Sequence, residues 1–414
     1  MRVLHVTHQY RPAIGGSERF FTDVSEELVR RGHEVDVVTT RASDYRTWAT
    51  ALPGRETIDG VRIRRFRALQ RRAYTWKTLS YGYGNYLRTR RRYYEPLMLF
   101  GSGPIAPGLA LWTLLNAGRY DVVHIQTLPY AHVVYTFAAA KARGTPVIVT
   151  PHLHVDQPEV FDVGAFNDVL RRADMVVADT GREADFLVGL GVDATRVREV
   201  GVGLRLDEYP AADRGAIRDR LGIPRDAFVV LFIGRKVHYK GLAGVLRAHE
   251  RLAPAHPDLW LVSAGPPADA LERTPAQVPR WIDFDAVSDA HKLELLNACD
   301  VLALPSTAEA FGIVFLEAWA LGKPVIGARA GATPWLVTDG HDGLLVDPGD
   351  GDHLAGAIER LLADRVLGPW LGANGHRKLC ERYALDRVAA RFEDIYRAVA
   401  RTRSTIPQPS RVTS

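Results

Sequence analysis

Ten short apolar runs restrict what this 414-residue chain can fold into. Five fall in the first half: RVLHVT (2–7), EVDVVTT (34–40), DVVHI (121–125), PVIVT (146–150) and DMVVA (174–178). Five more restart the pattern: AFVVLFIG (227–234), LWLVSAG (259–265), DVLALP (300–305), PVIGA (324–328) and GLLV (343–346). Most are near-continuous in Val, Ile and Leu, as strands buried on both faces must be, and helical stretches separate them. That combination predicts parallel sheets covered by helices. The length exceeds one typical core and suits two domains. The fold class is therefore α/β, with two doubly wound sheets that face each other and bind ligand at their strand C-termini, in a cleft.

Local signals refine this. HQYRPAIGG is a turn-rich loop. Ser17 is read as an N-cap, Phe20, Val24 and Leu28 as one helix face, and Gly32 as the stop. Residues 203–226, with Pro210, Gly222 and Pro224, read as the junction between the halves. Residues 312–321, 352–364 and 386–401 read as helices. The tail from Arg403, RSTIPQPSRVTS, is polar and Pro/Ser-rich, a composition expected to be disordered.

Composition excludes several classes. Only Cys299 and Cys380 are cysteines, without metal-ligand spacing, which favours a reducing compartment over a disulfide framework. MRVLHVTHQY lacks the apolar core of a secretory signal. Net charge is +5, but its distribution is uneven. Lys or Arg stands at 62, 64, 65, 67, 71, 72, 77, 88, 90, 91 and 92, with no acid between Asp59 and Glu95. Tyr74, Trp76, Tyr81, Tyr83, Tyr86, Tyr93 and Tyr94 are interleaved. Pro96 to Gly118 is uncharged, but its prolines and glycines rule out a spanning helix. A nucleic-acid binder could account for the basic stretch but not for the second half. No strand is followed by G-x-G-x-x-G, which disfavours a dehydrogenase.

Two segments carry chemistry. FIGRKVHYKG (232–241) places Arg235, Lys236 and Lys240 after a strand, where cations can meet an anionic ligand. Alone, it reads as a solvated basic loop. STAEAFGIVFLEAWALGKPV (306–325) sets Glu309 just before a helix and Glu317 within it, eight residues later. The helix N-terminus offers unpaired N–H groups to a phosphate. Glu317 can accept two hydrogen bonds from a ribose diol. The structural alternative is that Glu317 pairs with a neighbouring Lys or Arg and Glu309 favours the helix N-terminus. Among the histidines, His152 is the best functional candidate and His154 the near alternative. His124 is equally a hydrogen-bonded core residue, and Asp156 is weighed as a residue that orients a histidine or contacts acceptor.

The E-x7-E pair in PSTAEAFGIVFLEAWALGKPV, with GRKVHYKG, resembles the retaining glycosyltransferases of family 4. RPAIGGSERF, DVVHIQ, VIVTPHLH, VSDAHKLELLNACDVLALPS, DGLLVDPGD and FEDIYRAV extend the likeness along nearly the whole chain. The resemblance implies the GT-B fold: two Rossmann-like domains facing across a cleft. It implies an acceptor domain (1–203), a donor domain (204–385) and a helix (386–402) returning toward the first domain, before the tail (403–414).

By this resemblance Arg235 and Lys240 hold the donor diphosphate, and Glu317 binds the ribose. Glu309 contacts the migrating sugar. Phe311, Gly312 and Ile313 present backbone N–H groups, and Val287 contacts the base through its backbone. Gly15 and Gly16 close over the diphosphate, and His152 lies near the sugar's outer hydroxyls. The implied reaction moves a hexose from a UDP- or GDP-sugar to a glycan or lipid-linked acceptor, with retention. No metal or other cofactor is implied: DFD (283–285) fits Asp-x-Asp but falls on the base-binding strand. The alternatives are a GT-B-fold nucleotide-sugar epimerase and a degenerate transferase that only binds a partner. The family's pattern is broken at Ala332, Trp335, VGLR (202–205) and Asp285, which bears on donor identity. Trp335 is read as a packing residue. A cytoplasmic chain is expected, without a nucleic-acid partner. Residues 62–94 are read equally as a peripheral contact with anionic membrane lipid on the inner face and as a solvated basic insertion or a groove for an anionic soluble acceptor. Residues 107–117 are read as an ordinary helix.

Overall fold

The structure is a computed structural model. It describes residues 1–12, 15–44, 48–69, 72–267, 269 and 274–404, and leaves aside the side chains of 72–74, 76, 158 and 402–404. Arg71, the side chains of Arg72, Tyr74 and Trp76, and the tail from 405 lie outside the described residues. The chain divides into two compact units, Met1–Gly203 with Leu385–Ser414, and Leu204–Ala384.

The first unit is built on an eight-stranded sheet of order β3-β4-β2-β1-β5-β6-β7-β8. Its strands are β1 (Arg2–Val6), β2 (Glu34–Thr40), β3 (Arg55–Ile58), β4 (Val61–Phe66), β5 (Val122–Gln126), β6 (Val147–Thr150), β7 (Met175–Ala178) and β8 (Val197–Glu199). All pairs are parallel except β3 with β4. The five apolar runs form β1, β2, β5, β6 and β7. β4, VRIRRF, carries three arginines and so does not stand out as an apolar run. It is a strand with alternating burial, in which Val61 and Ile63 point into the core.

Much of the basic stretch is consequently tied into the fold. Arg62 forks onto Asp36 at 2.6 and 3.0 Å and reaches Glu34 at 3.2 Å. Arg65 is buried, paired with Glu56, and donates to the Arg11 carbonyl at 2.6 Å. Arg92 meets Asp168 at 2.5 Å and Glu95 at 3.2 Å. The stretch is thus partly framework, not a uniformly free basic surface. Among the described residues no single helix is long and apolar enough to cross a membrane.

Helix Gly16–Arg30 buries Phe20, Phe21, Val24 and Leu28, and Gly32 follows it with φ +86°. Its N-cap is Gly15, not Ser17, whose hydroxyl donates instead to Glu18 at 3.1 Å. Helix Leu385–Ser404 groups with this unit and runs past Arg403. Its Tyr396 reaches two strands at once. Ser25 donates to the Phe21 carbonyl (2.6 Å), so it accepts from His5 Nδ1 (2.7 Å). His5 Nε2 then accepts from the Tyr396 hydroxyl (3.0 Å), which accepts from His124 Nδ1 (2.6 Å). His124 Nε2 accepts in turn from Thr150 (2.7 Å). One direction of donation satisfies every group with both imidazoles neutral. Burial lowers both pKa values, that of His5 to about 3. His124 is therefore a hydrogen-bonded core residue.

The second unit holds a six-stranded, all-parallel sheet of order β11-β10-β9-β12-β13-β14. Its strands are β9 (Phe228–Ile233), β10 (Leu259–Ala264), β11 (Trp281–Phe284), β12 (Val301–Leu304), β13 (Val325–Ala328) and β14 (Leu344–Val346). The order reverses between β9 and β12, so the loops after these two strands meet at the topological switch point, where open α/β sheets bind ligands. Residues 203–226 are more than a junction. Helix Arg214–Leu221 forms there, capped by Asp213 and ended by Gly222. Its buried Arg218 is satisfied by the carbonyls of Ala298, Arg225 and Ala227 and by Asp300. The prolines and glycine that suggested a linker bracket this helix.

Candidate functional site

Both signature segments of the second unit converge on its switch point. After β9 the chain makes a tight turn, His238–Lys240, and leaves it at Gly241, whose φ is +84°. A Cβ there would lie 2.7 Å from the Pro305 carbonyl oxygen, so only glycine lets the two loops approach this closely. The Thr307 N–H donates to the Tyr239 carbonyl at 2.8 Å, stitching them together. Across this seam Lys240 pairs directly with Glu309. Arg235 is exposed and donates to the Tyr239 hydroxyl at 2.7 Å. Lys236 does not join them. It is buried, bonded to Asp283 at 2.8 Å and to the Phe284 carbonyl at 2.9 Å. Asp283, the first acid of DFD, is therefore already neutralised by a lysine.

Glu309 is largely buried, and its carbonyl accepts from the Ala332 N–H at 2.9 Å. Gly312 caps helix Ile313–Ala320 without a side-chain acceptor, so no capping side chain claims the first N–H groups of the helix. Phe311 is buried edge-on against Tyr383, 5.6 Å between centroids, and anchors this corner. The helix is apolar nearly all round, and Phe315, Leu316, Ala318 and Trp319 are fully buried. Glu317 among them is buried too. Its Oε1 accepts from Lys292 at 2.7 Å and from the Tyr209 hydroxyl at 2.9 Å. The alternative of a lysine partner for Glu317 is thus what the fold displays. Both donors use the same oxygen, and Oε2 has no hydrogen bond among the described residues. Val287 is half-buried, one residue before Ser288, the N-cap of helix Asp289–Ala298. Trp335 is 48% exposed and is not the packed residue anticipated.

In the first unit the sheet order reverses between β1 and β5, and a second polar cluster forms at those strand ends. His152 follows β6 with φ +55°. Its Nδ1 lies 2.7 Å from Asp179 Oδ2, and its Nε2 3.2 Å from Gln126 Oε1. The Gln126 amide nitrogen donates to Thr7 and to the Ser17 carbonyl, which fixes its oxygen toward His152. Both ring nitrogens therefore face oxygen acceptors, an arrangement that favours the protonated ring. Burial alone would lower its pKa. The charge and hydrogen bond of Asp179, with Glu183 and Glu18 further off, overcome this and raise it. Asp156 does not orient the histidine, since it pairs with Arg182 at 2.5 Å. His154 stacks on Phe161 instead.

Three acids here were missed from the sequence. Asp179 orients His152. Glu183 accepts the N–H groups of Leu153 (2.8 Å) and Asp179 (2.6 Å), and burial, then the charge of Asp179, raises its pKa to about 8. Thr180 caps helix Gly181–Gly189, which carries Glu183, by accepting from the Glu183 N–H. The T-x-x-E spacing at 180–183 is a capping-box signal that could have exposed the pair. The third is Glu18, 3.0 Å from His8 Nε2. Burial would raise its pKa, but the hydrogen bond and charge of His8 bring it down to about 2. A Cβ on Gly15 would fall 2.0 Å from the Glu18 carboxylate, so a side chain there would displace that carboxylate. Gly16 begins the helix.

Comparison with known proteins covers both units. Residues 213–384 match the family described as glycosyl transferases group 1, and residues 15–203 the glycosyl transferase 4-like domain. The D-inositol 3-phosphate glycosyltransferase of Saccharomonospora viridis is 31% identical, over 94% of this chain and 91% of the relative. The chain belongs to glycosyltransferase family 4. The enzyme of the same name from Kineococcus radiotolerans is 30% identical to this family 4 glycosyltransferase, over 94% and 92% of the two chains. The fold is also that of Anabaena HepE, solved with UDP and glucose (TM-score 0.70, 20% identity, 96% of this chain and 100% of that one). Sucrose-phosphate synthase from Thermosynechococcus elongatus is similar (TM-score 0.71, 20% identity, 97% and 100%). The architecture of this family 4 chain is therefore GT-B.

Proposed function

We propose that this glycosyltransferase transfers a hexose, with retention and without a metal, from a UDP- or GDP-sugar bound in its second unit. The observation that carries the reading is the seam at the switch point. Lys240, Glu309 and an uncapped helix N-terminus come from two loops that glycine holds together. Arg235, Lys240 and the helix N–H groups suit the charge that develops on a departing nucleoside diphosphate, the role a metal plays elsewhere. Glu309, next to Lys240, suits contact with the sugar. Oε2 of Glu317 suits a ribose hydroxyl, with Lys292 and Tyr209 holding the carboxylate in place. Asp283 is engaged by Lys236, in keeping with metal-free chemistry.

The acceptor is assigned to the strand C-termini of the first unit, near His152. Glycans and lipid-linked sugars are one class. The named activity of the 31% identical relative adds a cyclitol phosphate. The test is a thermal-shift panel of UDP, GDP and ADP and their sugars, followed by turnover with each acceptor class. Binding to the folded state alone raises Tm by mass action. Stabilisation by one nucleotide, with slow hydrolysis of its sugar and an anomerically retained product, is expected. No shift with any nucleotide overturns the reading. Stabilisation without turnover leaves a binding protein, and release of an epimerised nucleotide sugar identifies an epimerase.

A further inference from the structure

Helix Pro107–Asn116 lies in the first unit against β2 and β4. Leu109 and Thr113 are buried, and Trp112 sits 6.4 Å from Phe66 of β4. Helix His132–Ala142 packs along a further side, and the remaining face is open. Leu111, Leu114 and Leu115 are 57%, 39% and 62% exposed. Their i, i+3, i+4 spacing makes one outward stripe, so the helix has more apolar surface than its place before β5 requires.

A cavity of about 530 Å³ opens beside this stripe. Trp112 and Asn116 line it from the helix, at positions next to Leu111 and Leu115 around the helix axis. Five arginines also line it, Arg2, Arg55, Arg62, Arg64 and Arg119, among apolar and neutral side chains. Three acids stand with them, and each is already matched. Arg62 takes Asp36 and Glu34, Arg2 approaches Glu34 at 3.8 Å, and Arg65 takes Glu56 from the core. Arg55, Arg64 and Arg119 are left without a carboxylate partner among the described residues, and Arg64 lies 5.3 Å over the Trp112 ring. An unneutralised basic cavity thus adjoins an uncharged stripe of leucine.

We propose that this face docks on an anionic phospholipid bilayer. The lipid phosphate enters the arginine cavity, where guanidinium groups bind it by charge-assisted hydrogen bonds. Leu111, Leu114 and Leu115 enter the boundary between headgroups and acyl chains, with the helix lying in the plane of the surface. A soluble phosphate would use the arginines and leave the leucines without a partner, and a nucleic acid would do the same. The two features together select a ligand that is anionic at one end and apolar at the other. The inference is independent of the donor chemistry.

The test is co-sedimentation of the full chain with vesicles of phosphatidylcholine alone or mixed with phosphatidylglycerol. Binding is expected only to the anionic vesicles and is weakened by salt. Each basic residue near the surface contributes about fivefold in partitioning, so Arg55→Ala with Arg119→Ala reduces binding about 25-fold. Leu111→Ser with Leu115→Ser reduces it about tenfold or more. All four side chains are exposed, so Tm and the nucleotide thermal shift stay unchanged, which separates failure here from failure of the donor assignment. Lys77→Ala with Arg88→Ala, on helix Arg72–Thr89, should cost less than fivefold. Equal binding to neutral vesicles, wild-type binding by both first variants, or a larger loss from the Lys77/Arg88 pair overturns the proposal. So does displacement by soluble glycerol phosphate alone at equal phosphate concentration, which would mark a free-anion site.

Discussion

Two clusters of titratable side chains give this glycosyltransferase its testable chemistry at the scale of single residues. Glu317→Ala removes the acceptor shared by Lys292 and Tyr209 and the proposed ribose contact. Donor affinity should fall about 10- to 100-fold, the worth of a charged hydrogen bond, as measured by calorimetric titration. Glu309→Ala should instead lower kcat by about 10²–10³ with a smaller change in donor affinity, as for a group acting on developing charge. Equal effects of the two on both parameters would remove the division of labour. In the first unit, Glu183 and His152 both have raised pKa values, so the folded state holds their protons more tightly than the unfolded state does. The stability from Glu183 is complete below its ordinary value of 4.5 and lost as pH climbs to about 8. That from His152 is complete below 6.5 and lost as pH rises through its folded value. Tm should therefore decline across this window, and Glu183→Gln should flatten the decline. An unchanged slope would mean that Glu183 is ionised throughout. Glu309 and Glu317 were legible because their spacing and apolar setting are local. Asp179, Glu183 and Glu18 were not, because their meaning lies in partners that only the fold supplies: His152 is 27 residues from Asp179 in sequence, and no pattern links the two.

Elements were legible where burial writes itself into composition. Strands covered on both faces are continuous in Val, Ile and Leu, and all ten such runs became strands. β4 follows the other rule: it alternates, and its arginines read as a charged surface until Asp36 and Glu34 supplied partners for Arg62, and Glu56 one for the buried Arg65. β8, with three residues, is too short to carry a pattern. Loop geometry was legible only in part. The glycine at 241 is visible in the sequence, but its reason is the Pro305 backbone of another loop. Gly241→Ala must take a left-handed conformation and push against that carbonyl. A loss of about 2 kcal/mol or more is expected from denaturant unfolding, together with a weaker nucleotide thermal shift, because Lys240 and Glu309 are placed by the same contact. Wild-type stability would show that the two loops can part without consequence.

At the scale of the whole molecule, the restart of the strand pattern after residue 226 announced two sheets. The last helix joins the first unit, as the resemblance implied, through partners that no local pattern reveals: Tyr396 with its two histidines, and Glu393 with Arg31 at 2.8 Å. Tyr396→Phe strips the shared hydroxyl from His5 and His124 and leaves two buried ring nitrogens unsatisfied, at a cost of about 1–3 kcal/mol each. Hydrogen exchange should accelerate in β1 and β5, with β9 to β14 little changed. Uniform acceleration would show that the network does not belong to one unit. The chain leaves the first unit after Gly203 and rejoins it at Leu385, so the second unit is an insertion within the first. His5 and Tyr396 are 391 residues apart. During synthesis, then, the N-terminal sheet must wait for a helix translated after the whole inserted unit, which by then has all its strands. The part translated first is the part completed second.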